Sequence, residues 1–289
     1  MEAAFTPTTP GTATPSRVPP VRPTLPGDGA SDPRDMLAEG LRIVDAARER
    51  GVVLRLLGGL AVRVHCELIA FCERDYSDLD MVGLKAQRKQ VINLFRDLGY
   101  EFDLHTMQAT RGRQLQFVRP CRHEAGGLPV HEDDHVDVFL DRFKMDHEID
   151  LKDRLTLEAY TIPVTDQLLI KLQINRATEK DVRDTLTLLK DLELADEEAP
   201  GVIGLRVLAA RCAKDWGLYH DVERSLDRCE AMLPDYLLTS EEEARIRDGL
   251  ARVRRALEAA PKTLAWRARA KVGERRPWHD VVEEQGEER

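Results

Sequence analysis

The sequence predicts an α+β protein, a mixed sheet with helices followed by a C-terminal helical domain. Three observations predict it. Between residues 52 and 162, short apolar runs of strand length alternate with stretches of helical period. From Thr165 onward apolar residues recur at helical spacing and continue so to about residue 258. The change of period falls near residue 164, dividing an α/β domain (34–164) from a helical one (165–262).

Taken in order, residues 1–33 are rich in Pro, Thr, Gly and Ala and read as a disordered tail, because they carry too little apolar surface to offset chain entropy. Leu37, Leu41, Val44 and Ala47 mark a first helix, and Gly51 its stop. Residues 52–57 read as a buried strand, broken by Gly58-Gly59, with a helix over 60–69. Residues 77–82 form a second strand ended by Gly83. The amphipathic helix 85–98 follows, through Val91, Ile92, Leu94, Phe95 and Leu98. Strand-like pieces come at 100–104, 113–119, 135–140 and about 147–162. Thr165 and Asp166 can cap a helix carrying Leu168, Leu169, Leu172 and Ile174. Further helices are expected at 179–192, 203–215, 217–232 and 240–258. The charged segment 263–289 is expected to become irregular toward its end, despite Trp266 and Trp278.

Composition narrows the function classes. Hydrophobic residues at 42% and charged residues at 33% fit a soluble globular chain, and no apolar run approaches the roughly 20 residues of a membrane span. With no signal-peptide core, the expected location is the cytoplasm. Five cysteines without a CxxC pair suggest reduced, mostly buried thiols. A net charge of −9 argues against a protein that coats nucleic acid, although Arg111, Arg113, Arg119 and Arg122 could form a local basic patch.

The chemistry concentrates in three places. In the second strand, a period of two puts Asp78 and Asp80 on one face and Leu79 and Met81 on the other. Adjacent carboxylates repel each other unless a cation lies between them, and magnesium prefers such oxygen ligands. Asp-x-Asp alone is short enough to be a solvated strand face. Upstream, however, Gly58-Gly59 follows an apolar strand and opens a helix, where bare backbone and helical amides can approach a phosphate. In His135-Val136-Asp137-Val138-Phe139-Leu140, Asp137 faces away from the valines. Three carboxylates on neighbouring strands can hold two metal ions about 4 Å apart, the arrangement that aligns in-line phosphoryl transfer.

The strings LLGGLAVRVH, RDYSDLDMV and HVDVFLD together resemble the DNA polymerase beta-type nucleotidyltransferase superfamily, over roughly residues 52–190. More narrowly, GGLAVRVH with an Arg before SDLD, followed by KLQINRATEKDVRDTLTLL, is similar to the AbiEii-like toxin nucleotidyltransferases. The resemblance implies that Gly58, Gly59 and Ser77 hold the triphosphate. It makes Asp78, Asp80 and Asp137 the ligands of two magnesium ions, with Asp137 the base for the acceptor. Lys171 would contact phosphates, and Asp184 would orient Lys171 or the base-side pocket. On the residues alone, Lys171 could equally point outward, and Asp184 could pair with Lys180 on a helix surface. The implied reaction moves a nucleoside monophosphate from an NTP to a hydroxyl on RNA, protein or a small molecule, and the toxin likeness implies a cognate antitoxin. The rival is a non-catalytic nucleotide- or partner-binding module. A zinc site from Cys121, His123, His131 and His135 fits no common module, and His65 reads as a packed or capping histidine. No Walker P-loop, GxSxG elbow or dinucleotide fingerprint is present.

Overall fold

A computed structural model describes residues 36–74, 76, 78–119 and 134–279. The expected 1–33 tail, Ser77, Arg122, Cys121, His123 and His131 lie outside the described residues. The fold is α+β, with a five-stranded mixed sheet and helices on either side of it.

The first helix, α1 (Met36–Glu49), buries Leu37, Leu41, Val44 and Ala47, and Gly51 ends it in the left-handed region at φ +68°. Next come β1 (Leu54–Leu56), α2 (Gly58–Val64), α3 (Ile69–Cys72) and β2 (Asp78–Gly83). They are followed by α4 (Arg88–Asp97), β3 (Glu101–Asp103), α5 (Leu104–Ala109), β4 (Gln114–Arg119) and β5 (Asp134–Leu140). The strand order is β1-β2-β5-β4-β3, with the central β2–β5 pair parallel and the other neighbours antiparallel. Leu79, Met81, Val136, Val138, Leu115 and Phe117 fill one face of the sheet and share a core with α1 and α4. There the Phe95 and Phe117 rings stack at 4.1 Å, and Tyr100 meets Phe95 edge-on at 5.4 Å. The opposite face carries Asp78, Asp80, Asp137, Gln114 and Gln116.

Several elements differ from expectation. The helix expected over 60–69 begins at Gly58 and ends at Val64, where the His65 amide bonds back to the Val62 carbonyl at 2.9 Å. The chain then turns into α3, and Cys66 and Cys72 are joined by a disulfide across a Cα separation of 6.8 Å. These two cysteines are therefore not the reduced thiols expected. Cys212 and Cys229 are free and buried. The strand expected at 100–104 stops at Asp103 because that side chain caps α5, accepting from the His105 amide at 2.8 Å. The long strand expected over 147–162 is only β7 (Glu148–Asp150), paired with β6 (Arg142–Lys144). After it the Leu151 amide donates to the Asp141 carbonyl at 2.8 Å and the chain turns, rejoining the sheet as a single bridge between Leu56 and Thr161.

The helical part runs through α6 (Val164–Leu172), α7 (Glu179–Asp191), β8 (Glu193–Ala195), β9 (Val202–Gly204) and α8 (Leu205–Cys212). It continues with α9 (Trp216–Met232), α10 (Ser240–Ala259) and α11 (Leu264–Val272). The parallel β8–β9 pair was not expected, and it delays the start of α8 to Leu205. Thr178 and Asp181 form a capping box that starts α7, and Thr239 and Glu242 form one for α10. Leu57, Val62, Phe71 and Val82 pack in the same core as Leu168, Leu186, Leu226 and Leu250. Helix α11 lies within the charged C-terminal segment, and beyond it the Trp278 indole N–H donates to Asp221 at 3.0 Å. Asp221 is fully buried and also holds His147 at 2.8 Å and the Asn175 amide at 2.7 Å. Among the described residues no helix is long and apolar enough to cross a membrane.

Candidate active site

In the parallel β2–β5 pair, Asp80 stands in register with Asp137, and Asp78 with His135. Neighbouring strands lie about 4.8 Å apart and partners in register share a face, so three carboxylates project from one patch of sheet. The opposite sides of these residues are the buried Leu79, Met81, Val136 and Val138, which fix the register: a slip of one position would turn the acids into the core. Burial and crowded charge both bear on these carboxyls. The Asp80 carboxyl is pushed up to about 7, first by burial and then by the negative charges of Asp78 and Asp137, with Lys171 and Arg74 acting against the rise. Burial also raises Asp137, opposed by hydrogen bonds from Gln114 and Gln116 and reinforced by Asp78.

Gly58 lies against this patch. It adopts φ +72°, a conformation that costs an L-residue roughly 1–2 kcal/mol, and a Cβ there would come within 2.7 Å of Asp80 Oδ2. Both conformation and contact therefore require glycine at this position. The Leu57 amide donates to the Asp80 carbonyl at 3.0 Å, and Gln167 Nε2 donates to the Gly58 carbonyl at 2.8 Å, which holds the turn to β2 and α6 together. At Gly59 a Cβ would run into the Arg74 guanidinium, which packs over the Tyr76 ring at 4.5 Å. The anion-accepting feature expected here reduces to bare backbone, because α2 has only seven residues and a short dipole.

Lys171 on α6 is buried rather than outward-pointing. Its ammonium meets Asp184 at 2.8 Å and Asp181 at 3.1 Å, both on α7. Burial alone would lower its pKa, but Asp184 and Asp181 outweigh that and hold it above the ordinary lysine value. Asp184 is buried and pairs with Lys171 and with Arg74 at 3.2 Å, not with Lys180 on a helix surface.

Between the sheet and these helices lies a cleft of about 260 Å³, lined among others by Gly58, Gly59, Asp78, Asp80, Lys171 and Arg74. Of the residues predicted from sequence, the structure gathers Gly58, Gly59, Asp78, Asp80 and Lys171 at this cleft, with Asp184 behind Lys171 and Asp137 one strand over. Ser77 lies outside the described residues. Sequence reasoning missed Arg176 and Lys180 in the wall, and Tyr76 and Arg74 as side chains with a place in it. It also missed Gln114 and Gln116, although their alternation on β4 could have marked them. Gln116 Nε2 donates to Asp137 Oδ1 at 3.1 Å. Among the described residues no three His, Cys, Asp or Glu side chains already converge as a metal-binding set. The Asp78–Asp80 pair fits a divalent cation on charge grounds, since the raised Asp80 carboxyl would be relieved by one. Asp137, one strand over, accepts from Gln116 through Oδ1. His65 is packed, bonded to Thr161 at 3.1 Å, and burial lowers its pKa to about 4.

A second cleft, about 480 Å³, opens beside the first on the far side of an aromatic wall. Phe139 lines this one and Phe143 lines the first, with their ring centroids 4.9 Å apart. On β6 the side chains alternate: Arg142 and Lys144 face the second cleft and Phe143 the first.

Fold and site together define an α+β protein with an acidic sheet face beside a glycine turn. No family model matches the chain, and no curated protein matches it. Among solved structures it is similar to one described as an antigenic nucleotidyltransferase-like protein from Paracoccidioides brasiliensis. That likeness is at 12% identity and a TM-score of 0.40, covering 79% of this chain and 94% of the other.

Proposed function

We propose that this chain is a metal-dependent nucleotidyltransferase, moving a nucleoside monophosphate from an NTP to a hydroxyl acceptor with release of pyrophosphate. The observation that carries the reading is the register of Asp80 with Asp137 beside a Gly58 whose Cβ position is taken up by the Asp80 carboxylate. Magnesium held by Asp78 and Asp80 would neutralise charge on the phosphates and polarise the reacting centre. Gly58 and Gly59 would let the triphosphate approach the backbone. Lys171, kept protonated by Asp184 and Asp181, would supply positive charge to its oxygens. Asp137 would take the proton of the acceptor hydroxyl as the oxygen attacks the α-phosphorus. A second ion would share it. Alignment and charge neutralisation would supply most of the acceleration. The narrower likeness extends the reading to an AbiEii-like toxin of the cytoplasm, paired with a cognate antitoxin.

A non-catalytic nucleotide-binding module is favoured by one observation, the engagement of Asp137 by Gln116. One experiment separates the two. The protein is incubated with each labelled NTP, magnesium and cellular RNA, protein or metabolites, beside an Asp78→Asn, Asp80→Asn double variant. Label transferred by the wild type and not by the variant is the expected result. NTP binding with no transfer to any fraction would leave the binding module.

A further inference from the structure

We propose that the second cleft, beyond the Phe139–Phe143 wall, binds the acceptor through phosphate groups, so that the acceptor carries phosphate close to its reacting hydroxyl. The proposal rests on the nucleotidyl-transfer reading. It follows from three placements. First, the cleft continues from the proposed base: Phe139 and Gln114 lie in its lining, Phe139 is two residues beyond Asp137 on the same strand face, and Gln114 hydrogen-bonds Asp137. Two residues of strand span about 7 Å, so a molecule in this cleft can present a hydroxyl to Asp137 while the NTP occupies the other side of the wall. Second, the lining is cationic in a chain whose net charge is −9: Lys85, Arg113, Arg142 and Lys144 contribute four positive charges against Asp141 and Glu148, with Asp150 pairing Arg142 at 3.5 Å from outside the lining. Third, neither acid is spent on Lys85 or Arg113. Asp141 accepts the Lys85 backbone amide at 2.9 Å, and Glu148 holds Arg142 at 2.6 Å. Among the described residues neither Lys85 nor Arg113 forms an ion pair. Arg88 reaches the same loop, where its guanidinium lies 3.2 Å from the Cβ position of Gly112. Cations around a half-buried aromatic floor suit phosphates linked to a ring or sugar.

The test is binding, measured apart from catalysis. A fluorescent ten-nucleotide RNA is titrated by polarisation into the wild type, into Lys85→Glu with Arg113→Glu, and into Lys144→Glu. Thermal melting confirms folding, and calorimetry follows magnesium-NTP affinity. We expect RNA affinity to fall about tenfold or more in both variants, with NTP affinity unchanged. In the double variant the slope of log K against log salt should be shallower by about 1.4, at roughly 0.7 per phosphate contact on a single strand. Ribose 5-phosphate distinguishes the source. If it binds the wild type as tightly as the RNA does, the acceptor is a small phosphorylated molecule; if RNA binds far more tightly, it is a polynucleotide end. Unchanged RNA affinity in both variants overturns the proposal. So does equal displacement of RNA by oligoglutamate, which would point to an acidic protein. Failure of the parent reading is separate: it would appear as no labelled nucleotide transferred by the wild type to any fraction.

Discussion

At the scale of single residues, Asp80 is where fold and chemistry pull against each other. Its folded carboxyl titrates near 7 against an ordinary 3.8. Between about pH 4 and 7 the folded state therefore holds a proton that the unfolded chain has lost, so ionisation of Asp80 costs stability progressively as pH rises through that window. Asp80→Asn removes the cost. Without metal, the variant should melt several degrees above the wild type at pH 8, and the gap should shrink steadily below pH 7 and close only near pH 4. Magnesium should narrow the gap at pH 8 by raising only the wild type. A constant gap across this range would mean that Asp80 is not the titrating group. The two carboxylates were legible in the sequence because strand period alone assigns their face, and Gly58-Gly59 because a glycine pair after an apolar run signals a close approach. Arg74 was not legible as a wall of the site: nothing local tells that its guanidinium folds back over Gly59, since Asp184, more than a hundred positions away, holds it.

Among elements, the pairing of α6 with α7 organises the far wall of the cleft. Lys171 is enclosed by two carboxylates of α7, and removing one partner of a buried ion pair costs about 3–5 kcal/mol because it strands the opposite charge. Lys171→Met should therefore lower unfolding free energy by about 3 kcal/mol in denaturant titrations. Adding Asp184→Asn should restore part of that loss, since one stranded charge is removed. If the single substitution is silent, Asp184 must be neutralised by Arg74 alone. Sequence left Lys171 open between surface and site because its neighbours Ile170 and Leu172 are buried too: α6 is buried on every side, so period cannot select a face. The errors at β7 and β9 have a shared cause. Strands of three residues are shorter than the window in which alternation can be recognised, and pairing with a neighbouring segment decides them.

At the scale of the whole molecule, the C-terminal segment closes the structure over a polar centre. Trp278 places its indole N–H on the buried Asp221, and its carbonyl lies 2.6 Å from the Cβ position of Gly217, so only glycine admits it. A hydrogen bond to a charged group is worth about 1.5–3 kcal/mol. Trp278→Phe should lower stability by about that amount in urea titrations, without change in NTP affinity. A variant as stable as the wild type would show that His147 and Asn175 suffice for Asp221. Reading the segment as charged and irregular missed this, because one tryptophan among many charges carries the contact.

The three-residue strand β6 works as a bulkhead between two compartments. Its odd member, Phe143, belongs to the cleft of Asp78 and Asp80, and its even members, Arg142 and Lys144, belong to the other. Substitutions at 142 and 144 can thus change what the outer compartment admits while the inner one keeps its shape. A single residue inserted ahead of Arg142 would do the opposite, transposing a ring for a charge in both rooms at once.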